Sequence, residues 1–185
     1  METRRDALTR MIAASLAGTG LIPVATALAA SPRPGNAPLT DKETGMMSDP
    51  DLTQFYTRYI AAINAREFDF VAGLIHEDVL MNGAPHKRAD VLTSLRGIAD
   101  AVPDYRWNVQ DLFVVDDRIA ARLQNTGTPV KTFMGHAATG ARVDFMEFAS
   151  YKIRNGRFAE MWFLMDGDTV GRQLRGGSSR PSRTP

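Results

Sequence analysis

The stretch "EMWFLMD", residues 160–166, sets Glu160 and Asp166 at the two ends of an apolar run. In water a carboxylate is a weak base. Against apolar walls its charged form is disfavoured and its pKa climbs, and a neighbouring like charge pushes it further. Such a carboxylate can remove a proton from carbon next to a carbonyl. Glu147, inside the apolar "VDFMEFASYKI", supplies that second charge. Asp166 has a plainer reading too, as the first residue of the turn "DGDT". Other chemistries are closed off. There is no cysteine, so thiolate nucleophiles, thiolate metal sites and disulfides are absent. His76, His86 and His136 are scattered without metal-ligand spacing and read as surface or loop residues, with His136 kept in reserve because it sits in the loop "GHAATGAR", near the mouth expected of the fold. No nucleophile elbow, phosphate loop or dinucleotide fingerprint occurs, and neither metal nor cofactor is implied.

These acids need strands to hold them. Asn155-Gly156 between two apolar runs signals a tight hairpin. A two-residue turn there would pair Arg154 with Arg157, and then Tyr151 with Glu160, Ala149 with Trp162, Glu147 with Leu164 and Phe145 with Asp166. Side chains two apart share a face, so Phe145, Glu147, Glu160, Trp162 and Asp166 would line one side of the sheet. A turn with a bulge would shift the pairing by one. Upstream, Leu52, Phe55, Tyr56, Tyr59, Ile60 and Ile63 recur at helical spacing after "SDPD", where Asp49 is the expected cap. A short helix is expected near residues 69–75, a brief strand at "DVLMNG" and a third helix near 88–102. From Tyr105 the period becomes two and slips at Asp111, which predicts a bulge and a bent sheet. Asp116-Asp117 is a turn, and strands follow at "RIAARLQNTGT" and on both sides of Asn155-Gly156. Helices followed by strands predict an α+β fold, with the helices packed on one side of a bent, mostly antiparallel sheet.

The first thirty residues read differently. Arg4-Arg5, an uncharged run from Met11 to Ala30 and the small-x-small Ala27-Leu28-Ala29 have the form of a twin-arginine export signal cut after Ala29 or Ala30. An uncleaved anchor is the alternative, opposed by Gly18, Gly20 and Pro23 within the run. Residues 31–47 read as a flexible linker, 48–174 as the folded domain and 175–185 as a disordered tail. The expected location is the bacterial periplasm or medium, with no membrane attachment after signal removal. Loss of residues 1–30 leaves a formal charge of zero, which argues against nucleic acid as a partner.

Over Asp51–Leu174 the chain resembles the SnoaL-like polyketide cyclases, within the superfamily named after nuclear transport factor two. The likeness runs through "PDYRWNVQDLFVVDDRIAARL", the "GT…F.G…TG" loop and "NGRFAE.W…D…..QL". It implies a cone-shaped α+β barrel with a hydrophobic cavity in its mouth. It also implies that Asp166 is the general base of a cofactor-independent ring closure, that Trp162 and Glu160 line the cavity, and that Phe133 and Met134 cover it. The chain departs from the pattern at Pro129 and Asn82, where the family usually has histidine. Asn82 can still donate to a developing enolate, whereas Pro129 has nothing to donate. The expected site is therefore Asp166 as base with Trp162, Asn82, Phe145, Glu147, Glu160, Phe133 and Tyr56 around a hydrophobic carbonyl compound. Tyr56 and Tyr59 are core residues by default, with one hydroxyl turned into the cavity as the second reading. A non-catalytic binder of an apolar ligand and a module that dimerises through its exposed sheet face are the competing functions.

Overall fold

A computed structural model describes residues 47–176; the predicted export signal and most of the linker and tail lie outside the described residues. Ser48, rather than Asp49, caps the first helix, α1 (Asp49–Ala65). The Ser48 hydroxyl accepts from the Asp51 amide while Ser48 N–H donates to the Asp51 carboxylate, a reciprocal box that satisfies two otherwise orphan donors. Arg66 in the left-handed region (φ 64°) ends the helix. Then come α2 (Phe68–Gly73), β1 (Ile75–Met81), β2 (Ala84–Lys87), α3 (Arg88–Ala101), β3 (Val109–Val115), β4 (Arg118–Gly127), β5 (Val143–Arg154), β6 (Arg157–Met165) and α4 (Gly167–Gly176). β2 and α4 were not expected. The first hides in a four-residue stretch that contains Pro85, and the second in a segment that reads as a turn followed by tail.

The six strands form one curved sheet in the order β2-β1-β6-β5-β4-β3. All neighbours are antiparallel except β1 and β6. The phase slip near Asp111 is a register shift between Val109 and Asp111. The sheet does not close; α1 and α3 cover one face of it. Leu52, Phe55, Tyr56, Tyr59 and Ile63 of α1 are all buried, as are Val91, Leu92 and Leu95 of α3. Phe158 forms the hub where α1 meets the hairpin. Its ring lies 4.9 Å from Phe55, 4.8 Å from Tyr59 and 5.0 Å from Tyr151.

Side-chain amides fasten the remaining pieces. Asn64 both donates to the Trp107 carbonyl and accepts from the Trp107 N–H, so α1 holds the segment leading into β3. Gln173 does the same with Asp144 and ties α4 to the start of β5.

The hairpin register corrects the expected one. Arg154 does pair with Arg157 and Ile153 with Phe158, but a bulge at Ala159 then advances β6 by one residue. Beyond it Tyr151 pairs with Met161, Ala149 with Phe163 and Glu147 with Met165. Because side chains alternate, that single step turns Glu160, Trp162 and Leu164 away from the interior.

Replacing Phe158, which is fully buried, by alanine is expected to cost about 3–5 kcal/mol of folding stability. Urea unfolding measures it, and a loss below about 1 kcal/mol would contradict the hub assignment.

Candidate active site

The inward phase of β5 reads Val143, Phe145, Glu147, Ala149, Tyr151, Ile153, and that of β4 reads Ile119, Ala121, Leu123, Asn125, Gly127. Each row is apolar or small with one amide or carboxyl exception, apart from the tyrosine. The two exceptions meet: Asn125 Nδ2 donates to Glu147 Oε2 at 2.5 Å. Both are buried, Glu147 at 6% exposure and Asn125 at 0%. The chain's four tyrosines, Tyr56, Tyr59, Tyr105 and Tyr151, are all buried too. The hydroxyls of Tyr56 and Tyr105 and the Oδ1 of Asn125 are sealed from solvent and make no well-formed hydrogen bond, the Tyr56 hydroxyl lying beside that of Tyr151 without proper geometry. Tyr105 lies beside Asn125 without forming a proper bond to it. Buried polar atoms are nearly always partnered, so polar atoms left without a good partner around one acid single this cluster out as the candidate site.

Burial pushes the Glu147 carboxyl up from its ordinary 4.5 to about 7, and the Asn125 hydrogen bond only partly opposes the rise. At neutral pH it is therefore poised between acid and base. Burial also raises all four tyrosines, with the negative charge of Glu147 adding to the effect, so each remains a neutral phenol able to donate.

Asp166 has the opposite environment. Its Oδ2 accepts from Thr169 Oγ1 at 2.6 Å and its Oδ1 from Thr169 N at 2.9 Å, which makes it the cap of α4. The Thr169 hydroxyl and amide, helped by Arg172, hold its pKa below the ordinary value. The expected dried, strengthened base is thus a stabilised helix cap. Trp162 is 44% exposed and covers the Asn82-Gly83 turn from outside, its ring 3.1 Å from where a Cβ on Gly83 would stand. Glu160 sits on the same outward face, opposite Lys152. Asn82 is exposed and its Oδ1 accepts from Phe163 N, so it secures the β1–β6 junction instead of reaching a ligand. Phe145, Glu147, Phe133 and Tyr56 lie inside, with the Phe133 ring 6.1 Å from Phe145 and 5.9 Å from Tyr105. Asn125 and Tyr105 escaped the sequence reading. A lone amide in the apolar phase of "RIAARLQNTG" was the available signal for the first.

The model of the SnoaL-like polyketide cyclases matches residues 53–174, and the chain belongs to that family. Among solved structures it resembles a SnoaL-like polyketide cyclase from Agrobacterium tumefaciens with 28% identity and a TM-score of 0.63, covering 66% of this chain and 97% of that one. IdmH, a putative polyketide cyclase from Streptomyces antibioticus, shares the fold with 24% identity and a TM-score of 0.61, over 66% of this chain and 97% of its own. AclR, a putative hydroxylase from Streptomyces galilaeus, shares it with 22% identity and a TM-score of 0.63, over 70% of this chain and 98% of its own. No functionally curated protein matches the chain.

The Glu147 shift fixes a pH dependence of folding. Between about 4.5 and 7 the unfolded chain has released a proton that the folded chain keeps, so stability falls as pH rises through that window and levels off above it. The total is about 3 kcal/mol. Asp51, Asp104 and Asp166, whose values are lowered, act at the acid end and leave the window clear. Urea unfolding at several pH values is expected to show this decline in the wild type and not in Glu147→Gln; identical profiles would refute the assignment.

Proposed function

We propose that the chain is an exported, cofactor-independent enzyme of cyclase or isomerase type acting on a hydrophobic carbonyl compound, with Glu147 as its acid–base group. The supporting observation is the sealed Glu147–Asn125 pair among unpartnered hydroxyls. Ionised Glu147 takes a proton from carbon next to the carbonyl, and the electron pair passes to an enolate. The Tyr56 and Tyr105 hydroxyls donate to the enolate oxygen where its charge develops. The resulting carbanion either attacks a second carbonyl of the same molecule, whose alkoxide recovers the proton from Glu147, or takes that proton back at another carbon. The first outcome closes a ring and the second moves a double bond. Export rests on the twin-arginine pattern of residues 1–30.

Asp166 as base is the second reading, favoured by its place after the "E-x-W" strand. It requires breaking both bonds to Thr169. Exchange of solvent deuterium into β-tetralone, followed by NMR, separates the two. Glu147→Gln should lose about 10²–10⁴ in rate while Asp166→Asn keeps most of it. The reverse pattern would transfer the role to Asp166. A wild type that retains ligand in native mass spectrometry yet catalyses no exchange would leave a binding protein.

The outward face of the sheet is a candidate contact with a second copy of the chain. Leu80, Phe113, Phe148, Trp162 and Leu164 are all exposed there. Neighbouring outward positions carry both signs, Lys152 and Arg118 beside Glu160, and Arg122 paired with Asp111 at 2.6 Å. An apolar centre with a charge-balanced surround suits a two-fold contact with itself better than it suits an acidic or basic partner. Sedimentation should give a dimer that Phe148→Glu converts to monomer; a monomeric wild type at micromolar concentration would remove the proposal.

A further inference from the structure

Glu147, Asn125 and the hydroxyls of Tyr56 and Tyr105 are sealed from solvent. Two hollows among the described residues lie away from this cluster, one of about 300 Å³ lined by Arg66, Phe68, Phe70 and Arg96 and one of about 150 Å³ lined by Met47, Phe55, Arg58 and Leu74. A ligand must displace something to reach the unpartnered hydroxyls. We propose that the Phe133 ring is a plug seated in the ligand space of the Glu147 site, and that the loop of residues 128–142 is the door that withdraws it. The inference rests on the interior site argued above and adds the residue that sets the size of its ligand.

Phe133 is 3% exposed although it comes from a loop. Its ring meets Tyr105, which carries an orphan hydroxyl, and Phe145, which pairs across the ladder with Asn125 and lies two residues before Glu147. It therefore fills space beside the polar cluster.

The loop's attachments are arranged like a hinge. Both ends are gripped by one residue: Asp104 accepts from Thr128 N at 2.6 Å and faces Arg142 at 3.8 Å. Val130 N donates to Ala101 O, and Lys131 pairs with Asp100, so the first arm is tied to the end of α3. The tip is self-contained. Phe133 and His136 exchange N–H···O bonds of 2.9 Å in both directions, with Met134 and Gly135 both at positive φ in a tight turn. Between the tip and Arg142, residues 137–141 form none of the backbone hydrogen bonds found among the described residues. The tip rests on α4 at glycines: an added Cβ at Gly171 would come within 2.7 Å of the His136 ring, and one at Gly167 within 3.2 Å of the Met134 methyl. Glycine seats offer contact without interlocking side chains. A tip that keeps its own shape, rests on smooth seats and is anchored at one base can lift as a unit.

Withdrawal of Phe133 would leave a void shaped for a phenyl ring, with Phe145 as an apolar wall and with Tyr105, whose hydroxyl lies beside Asn125, next to it. The matching ligand is a flat neutral ring that carries oxygen at its edge.

The test is binding of benzene and phenol, measured by NMR titration on the full folded chain and on Phe133→Ala. The variant should bind phenol at least about tenfold more tightly than wild type, and phenol better than benzene. No gain for either probe, with circular dichroism showing an intact fold, overturns the plug. Equal gains for benzene and phenol uphold the plug and instead sink the polar reading of the Glu147 site. Should Phe133→Ala fail to fold, Phe133→Leu carries the same comparison with a smaller expected gain. Gly171→Ala, which pushes His136 off its seat, should speed phenol entry while Phe133 stays in place; unchanged entry rates in a folded protein refute the door.

Discussion

A carboxylic acid kept in an apolar interior with one amide to hold it is the constraint around which this fold is arranged. Ionised and unpaired, Glu147 would be too costly to bury, and the interior answers by raising its pKa to about 7 so that it is largely neutral until the pH passes that value. A second acid in the same space would raise the cost again through like-charge repulsion. The Ala159 bulge prevents it. Had the pairing set by the Asn155-Gly156 turn continued unbroken, Glu160 would stand opposite Tyr151 and face the same interior as Glu147. One extra residue in β6 sends Glu160 outward to Lys152 and brings Met161 in instead. The same step exposes Trp162 and Leu164 and so creates the apolar outer face.

Much of the architecture was legible because it rests on period. The helical spacing of Leu52 to Ile63, the change to alternation after Tyr105, the slip at Asp111 and the Asn-Gly turn are all local signals, and each has its element in the structure. The resemblance supplied the overall fold. The interior of the hairpin was not legible, since a bulge in β6 leaves only a weak mark on the sequence. Ala159, a small residue between Phe158 and Glu160, tolerates either phase. A register error of one residue then reassigns every side chain beyond it, which is why Glu160 and Trp162 were placed on the wrong face while Phe145 and Glu147, on the unbulged partner strand, lie where that strand's own alternation puts them.

The acid that drew attention first shows why residue type alone does not make a base. Asp166 and Glu147 carry the same functional group, and their surroundings move them in opposite directions. Glu147 is buried with one donor; Asp166 has the hydroxyl and amide of Thr169, the positive end of α4 and nearby Arg172. Three residues of sequence separation between Asp166 and Thr169 were enough to announce the cap, had α4 been recognised. It was missed because Gly167, Gly171 and Gly176 lower the helix propensity of a segment whose apolar face rests on Val170 and Leu174.

Those glycines connect the two acids. α4 is fixed at its start by Asp166 and pinned to β5 by Gln173, and between these anchors Gly167 and Gly171 face the tip that carries Phe133. A helix with better formers at both positions would be more stable in isolation, yet a Cβ at either would press on Met134 or His136 and deny the tip its seat. Asp166 thus offsets, through its cap, part of the helix stability those glycines forgo. If the proposed function holds, it serves the interior site from a distance, by holding in place the surface on which the loop of residues 128–142 rests, while the proposed chemistry falls to the buried Glu147.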